Sequence, residues 1–163
     1  MTDINSELAS QAVSILKKNN LKLCFAESLT GGMISSGIVD VAGASAVFNG
    51  AVVSYVNDVK INVLGVSPSV IEEQTEVSYE CAEQMALGAA KMLEADIAVS
   101  VTGIAGPSGD LPGKPVGTVF MGLYNRGNVS SVRLDLKGTR DEIRHKTAEE
   151  AYKMIIDMAG AEE

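Results

Sequence analysis

Ala26-Glu27-Ser28-Leu29-Thr30-Gly31-Gly32 is the stretch on which the fold turns. It follows the apolar run Leu21 to Phe25, so Leu21–Ala26 reads as a buried strand, and it precedes Met33–Val41, which reads as a helix. A strand that ends at a serine and enters a helix through Thr-Gly-Gly sets a hydroxyl beside backbone N–H groups. Those groups, with the helix dipole behind them, favour negative charge. Such a turn suits either an acyl-transfer site or an anion-binding site, and Thr30 is expected to cap the helix.

Outward from this turn, strands and helices alternate. Glu7–Lys18 carries Leu8, Ala12, Val13, Ile15 and Leu16 at helical spacing and stops at Asn19-Asn20. Val41–Ser45 reads as a loop and Val47–Val56 as a second strand. Asn57-Asp58 can cap a short helix that ends near Leu64 and Gly65, and Ser67-Pro68 opens another. Ser78 caps a long helix running to about Glu94, in which Gly88 implies a close neighbour. Asp96–Thr102 reads as a strand buried on both faces, and Gly103–Pro115 as a functional loop. Val116–Tyr124 and Val129–Leu136 form a hairpin around Asn125-Arg126-Gly127-Asn128. Thr139 and Glu142 spell a capping box for a last helix to about Met158. The expected fold is α/β: a three-layer α/β/α sandwich with a mixed, mainly parallel sheet and a C-terminal antiparallel hairpin.

The 163 residues suit one domain, 1–163. A net charge of −8 argues against a nucleic-acid or anionic-membrane surface but leaves room for a small phosphorylated ligand. No apolar run approaches a membrane span. Two cysteines, Cys24 and Cys81, make neither a disulfide framework nor a metal cluster, and a reducing, cytoplasmic setting follows. A single histidine, His145, argues against a zinc hydrolase, so no metal is expected.

Four polar islands stand near strand ends: Glu27 to Gly32, Ser54-Tyr55 with Lys60, Thr102 to Pro107, and Lys137 to Arg140. Open α/β sheets bind ligands at the carboxyl ends of their strands, so the islands are expected to converge. Ser28 is either a turn residue or a nucleophile, and a nucleophile needs a base. His145 reads as a surface residue paired with Glu149. Lys60, between Val59 and Ile61, is the better base if burial lowers its pKa, and otherwise a solvated charge. Tyr55 either relays a proton or packs at the rim. Gly103-Ile104-Ala105-Gly106-Pro107 either wraps a phosphate or ribose or is a tight crossover loop. Arg140 opposes the dipole at its helix start, which an anionic ligand or a neighbouring acid explains.

Together with Val41-Ala42-Gly43-Ala44-Ser45 and Lys114-Pro115-Val116-Gly117-Thr118-Val119, these islands resemble the CinA C-terminal domain family from about Leu8 to Ile156. Characterised members of that family are nicotinamide-nucleotide amidohydrolases. The resemblance implies an α/β/α sandwich and a stand-alone form without the molybdopterin-binding-like domain of longer relatives. It implies hydrolysis of nicotinamide mononucleotide, a pyridine mononucleotide, to nicotinate mononucleotide and ammonia, without cofactor, by a homodimer active in NAD recycling. Ser28 would be the nucleophile, Lys60 the base and Tyr55 an assistant. Glu27, Leu29, Thr30, Gly31, Gly32, Thr102, Gly103, Ala105, Gly106 and Arg140 would form the substrate-binding set. The small-residue faces at Ser35-Ser36-Gly37 and Gly88-Ala89-Ala90 would suit the dimer contact. The sequence departs from the family pattern at Leu29, usually Cys, at Ser108 to Leu111, usually richer in Gly, and at Thr139, usually Asp. A non-catalytic nucleotide-binding module and a Ser–Lys amidohydrolase with another substrate are the alternatives.

Overall fold

A computed structural model describes residues 3–161. Its elements are α1 (Ile4–Lys18), β1 (Leu23–Glu27), α2 (Met33–Val39), β2 (Phe48–Val53), α3 (Asn57–Asn62), α4 (Pro68–Gln74), α5 (Tyr79–Leu93), β3 (Ile97–Gly103), β4 (Thr118–Asn125), β5 (Asn128–Asp135) and α6 (Arg140–Gly160). The five strands form one sheet in the order β2-β1-β3-β4-β5. β1 pairs in parallel with β2 and with β3, whereas β4 runs antiparallel to both β3 and β5. All strands but β4 therefore point the same way. The β4–β5 turn has positive φ at both central residues, Arg126 (48°) and Gly127 (98°), the geometry that matches strand twist in a two-residue hairpin.

Alternation along β1 splits the core into two layers. Leu23 and Phe25 join Ile97, Val99 and Met121 beneath α1, α2 and α6. Cys24, Ala26 and Ala98 face Cys81, Met85 and Ala89 of α5 on the other side. The result is a three-layer α/β/α sandwich, and β3 is buried on both faces until Gly103. Both cysteines are buried free thiols.

Several element ends differ from the sequence reading. α1 starts at Ile4, because Asp3 accepts the Ser6 N–H and supplies the cap that the apolar spacing alone does not reveal. A single 3₁₀ turn, Ala44–Ala46, interrupts the loop expected at 41–45. β2 stops at Val53, and Val56 rather than Asn57 or Asp58 is the N-cap residue of α3. Thr30 does not cap α2: the N-cap is Gly32, at φ 101°, and the Thr30 hydroxyl goes elsewhere. The capping box of α6 is present, with Thr139 accepting from Glu142 N–H and Glu142 accepting from Thr139 N–H.

Of the small residues expected at a dimer contact, Gly37, Gly88, Ala89 and Ala90 pack within the chain, whereas Ser36 is exposed. A Cβ at Gly37 would lie 2.1 Å from the Tyr152 hydroxyl, and one at Gly88 1.9 Å from the Leu64 carbonyl oxygen. Ala89 and Ala90 are buried against the sheet side of α5. No helix among the described residues is long and apolar enough to cross a membrane.

Candidate functional site

The register places the carboxyl ends of β1, β2 and β3 together, with Glu27 beside Val53 and Ala26 beside Ser100. Whatever follows these strands therefore meets at one edge of the sheet.

After β1 the chain turns at Ser28. Glu27 is fully buried, and its carboxylate is saturated. Oε1 accepts from the Thr30 hydroxyl at 2.6 Å and from the N–H groups of Gly32 and Ile34 at 3.1 Å each. Oε2 accepts from the Ser35 N–H at 2.9 Å and from the Ser35 hydroxyl. The N-terminus of α2 thus has its anion already, and it is a side chain of the same chain. This corrects the expectation for the start of α2, whose Gly32, Ile34 and Ser35 N–H groups are taken; the Leu29 N–H, ahead of the helix, has no acceptor among the described residues. Glu27, Thr30, Gly31 and Gly32 build the turn and do not line the cleft described below.

The turn is held from α6 as well. Arg144 donates from Nε to the Leu29 carbonyl at 2.9 Å and from its guanidinium NH₂ to the Thr30 carbonyl at 3.0 Å. The Gly31 N–H donates to the Ser28 carbonyl at 3.1 Å. The Leu29 side chain is packed in the core on the α1, α2 and α6 side.

After β2, Ser54 N–H and its hydroxyl both donate to the Glu27 carbonyl, at 2.7 and 3.1 Å, which ties the two strand ends. α3 then brings Lys60 back beneath them. Lys60 is only 1% exposed, and its Nζ lies 3.1 Å from Ser28 Oγ. The same nitrogen donates to the Ser54 carbonyl at 2.6 Å and reaches the Tyr55 carbonyl at 3.5 Å. No carboxylate pairs with this amine among the described residues. Burial pushes its pKa below the ordinary lysine value, opposed by negative charge at Cys81 and Glu76. The Cys81 thiol is itself pushed up to about 11 by burial, so it is uncharged near neutrality and Glu76 supplies the opposing charge.

A cleft of about 240 Å³ opens above Ser28 and Lys60. Of the residues expected from sequence, Ser28, Leu29, Tyr55, Lys60, Thr102, Gly103, Ala105 and Arg140 line it. Gly106 stands behind them, its carbonyl accepting from Arg140 at 2.7 Å. The Tyr55 hydroxyl accepts from Arg140 at 3.3 Å, so it is turned to the rim and not to the Ser28–Lys60 pair. The Thr102 hydroxyl is spent on the Glu76 carbonyl at 2.8 Å. His145, in the second turn of α6, does not line the cleft; its Nδ1 lies 2.8 Å from the Asp141 carbonyl and 3.4 Å from the Asp141 carboxylate, so its partner is Asp141 and not Glu149.

Two lining residues, Asn57 and Glu76, escaped the sequence reading. Asn57 reads as a helix start. Glu76 sits in no motif, but topology points to it: α5 precedes β3, so the start of α5 must lie at the carboxyl edge of the sheet.

Comparisons with known proteins bear on the fold that carries this cleft. The family model of the CinA C-terminal domain matches residues 5–159. A CinA-like protein of Fervidobacterium nodosum is 44% identical over 151 residues, 93% of this chain and 37% of that protein. A putative competence-damage inducible protein of Thermoanaerobacter sp. is 45% identical over 149 residues, 91% of this chain and 36% of its own length. The chain thus spans little more than a third of these relatives. Among solved structures, the competence/damage inducible protein CihA of Agrobacterium tumefaciens superimposes with a TM-score of 0.93 at 38% identity, covering 96% of each chain. A CinA superfamily protein of Klebsiella pneumoniae does so with a TM-score of 0.92 at 28% identity, covering 95% of this chain and 97% of that one. From residue 5 to residue 159, the chain belongs to the CinA C-terminal domain family.

Proposed function

We propose that Ser28 and Lys60 hydrolyse the carboxamide of nicotinamide mononucleotide, giving nicotinate mononucleotide and ammonia. The observation that carries this reading is the buried 3.1 Å contact between Lys60 Nζ and Ser28 Oγ, made by an amine with no carboxylate partner among the described residues.

A charged lysine has three protons to donate, and a neutral one has two and a lone pair. The Ser54 and Tyr55 carbonyls account for two N–H bonds. When the amine is neutral, its lone pair then faces the Ser28 hydroxyl, the arrangement a general base needs. Lys60 takes the proton as Oγ forms a bond to the carboxamide carbon, and the carbonyl π pair moves onto oxygen. The Leu29 N–H, next to the nucleophile and with no acceptor of its own among the described residues, is the donor for that oxyanion; one such donor contributes about 3 kcal/mol in characterised sites. The Lys60 ammonium returns its proton to the departing nitrogen, the C–N bond breaks and ammonia leaves. Water, with Lys60 again as base, adds to the acyl carbon, and Ser28 departs as the hydroxyl.

Arg140 binds Gly106 and Tyr55 with one donor from each guanidinium NH₂, which leaves N–H groups at the cleft rim for a phosphate. That remote anchor orients the reacting carbon. At about 240 Å³ the cleft lies just below the usual range of ligand sites, which starts at about 300 Å³, and suits a mononucleotide better than a dinucleotide.

The test is ammonia release from nicotinamide mononucleotide and from free nicotinamide by the wild type and by Lys60→Met. The reading expects turnover of the nucleotide, weak turnover of the free base and none by Lys60→Met. Binding of the nucleotide without ammonia at any pH contradicts it, and equal turnover of both substrates contradicts the phosphate anchor.

A further inference from the structure

Glu76 is the one cleft residue whose charge the mechanism above does not use. Its carboxylate has no hydrogen-bond or ion-pair partner among the described residues. Both cations of the cleft bond elsewhere: Lys60 to Ser28, Ser54 and Tyr55, and Arg140 to Gly106 and Tyr55.

The backbone that carries Glu76 is nevertheless fixed. Thr75 has φ 69° and ψ 170°, a conformation that a β-branched residue adopts only when its surroundings impose it. Lys114 Nζ donates to the Gln74 carbonyl at 2.9 Å and to the Thr75 hydroxyl at 3.3 Å. The Ser78 hydroxyl donates to the Thr75 carbonyl at 2.9 Å, and Thr102 holds the carbonyl of Glu76 itself. The residue after strained Thr75, on backbone pinned from three segments, thus adds to the cleft lining a carboxylate with no hydrogen-bond or ion-pair partner among the described residues.

That placement conflicts with the chemistry unless something intervenes. Hydrolysis at Ser28 builds negative charge on the substrate oxygen, and a nearby carboxylate opposes it. The conflict disappears if the substrate itself brings a positive charge to lie against Glu76. Resting on the amide-hydrolase reading of Ser28 and Lys60, we infer that Glu76 recognises a fixed positive charge on the substrate ring, so that the site selects amides attached to a cationic heterocycle over their neutral counterparts. In nicotinamide mononucleotide that charge is the quaternary ring nitrogen, in the ring that bears the carboxamide. Its dihydro form has the same carboxamide, ribose and phosphate around a neutral ring.

The experiment uses Ser28→Ala, expected to hold the nucleotide without consuming it, with and without Glu76→Gln. Dissociation constants are measured by calorimetry for nicotinamide mononucleotide and for its dihydro form. Glu76→Gln is expected to weaken the cationic ligand about tenfold and to change the neutral one by less than about twofold. An equal change for both ligands, or none for either, overturns the proposal. If the wild type still releases ammonia from nicotinamide mononucleotide in that case, the hydrolase reading survives and only the role of Glu76 falls. If the wild type releases none and Ser28→Ala binds neither ligand, both fall together.

Discussion

Lys60 sets stability against function: the burial that suits a base disfavours a charged amine. A lysine that is 1% exposed and has no carboxylate partner among the described residues is costly to bury charged, so its pKa in the folded protein is lowered. Between the lowered folded pKa and the ordinary value of 10.5, the unfolded chain holds a proton that the native one does not. Stability therefore rises as pH climbs through that window. Urea unfolding of the wild type and Lys60→Met across pH 7–10 should show the wild type gaining on the variant as pH increases; parallel curves would mean that the amine is not desolvated. The same group sets the acid limb of kcat/KM, expected as a single ionisation below 10.5 that Glu76→Gln moves to lower pH, since Glu76 opposes the shift. At this scale the sequence was informative in part. Ser28 and Lys60 were legible as hydroxyl and amine, but their contact across 32 positions follows from sheet order, which no local pattern encodes. Glu27 was legible as a polar residue at the turn and misread in role, because a carboxylate beside Thr-Gly-Gly looks the same whether it faces a ligand or its own helix.

Among the elements, the β1–α2 turn and the start of α6 act as one unit. Five donors converge on Glu27, so Glu27→Gln sets an NH₂ donor against N–H groups that need an acceptor. The variant should lose about 3 kcal/mol of unfolding free energy in urea titration. Arg144 grips the Leu29 and Thr30 carbonyls from α6, fixing the peptide planes beside the nucleophile. Arg144→Ala is expected to lower kcat about a hundredfold with little change in KM, as misplacement near a reacting centre does; a change confined to KM would place Arg144 in ligand binding. The caps read at Thr30 and Asn57-Asp58 were not the ones used, but helix spans were readable from apolar spacing and from the Ser78 and Thr139 caps. Strand ends were not, because Tyr55 and Val56 continue the β-prone composition of β2 after its pairing with β1 has ended at Val53.

For the whole molecule, the site depends on how closely α5 approaches the segment that follows α3. Replacing Gly88 with alanine in a helix interior contributes about 1 kcal/mol of propensity. The added Cβ would stand 1.9 Å from the Leu64 carbonyl, and backbone cannot yield there cheaply. Overpacking, worth about 1–3 kcal/mol, outweighs the propensity gain. Gly88→Ala should lower the melting temperature and also reduce activity, because Leu64 follows the helix that delivers Lys60; a more stable and fully active variant would show that this approach is not tight. The close neighbour was legible from Gly88 alone, whereas its identity and the convergence of three strand ends needed the sheet order β2-β1-β3. The decisive observation is the rate of ammonia release from nicotinamide mononucleotide by Ser28→Ala beside the wild type. The account predicts a loss of about a thousandfold or more with nucleotide affinity nearly unchanged, and turnover by Ser28→Ala at the wild-type rate contradicts it.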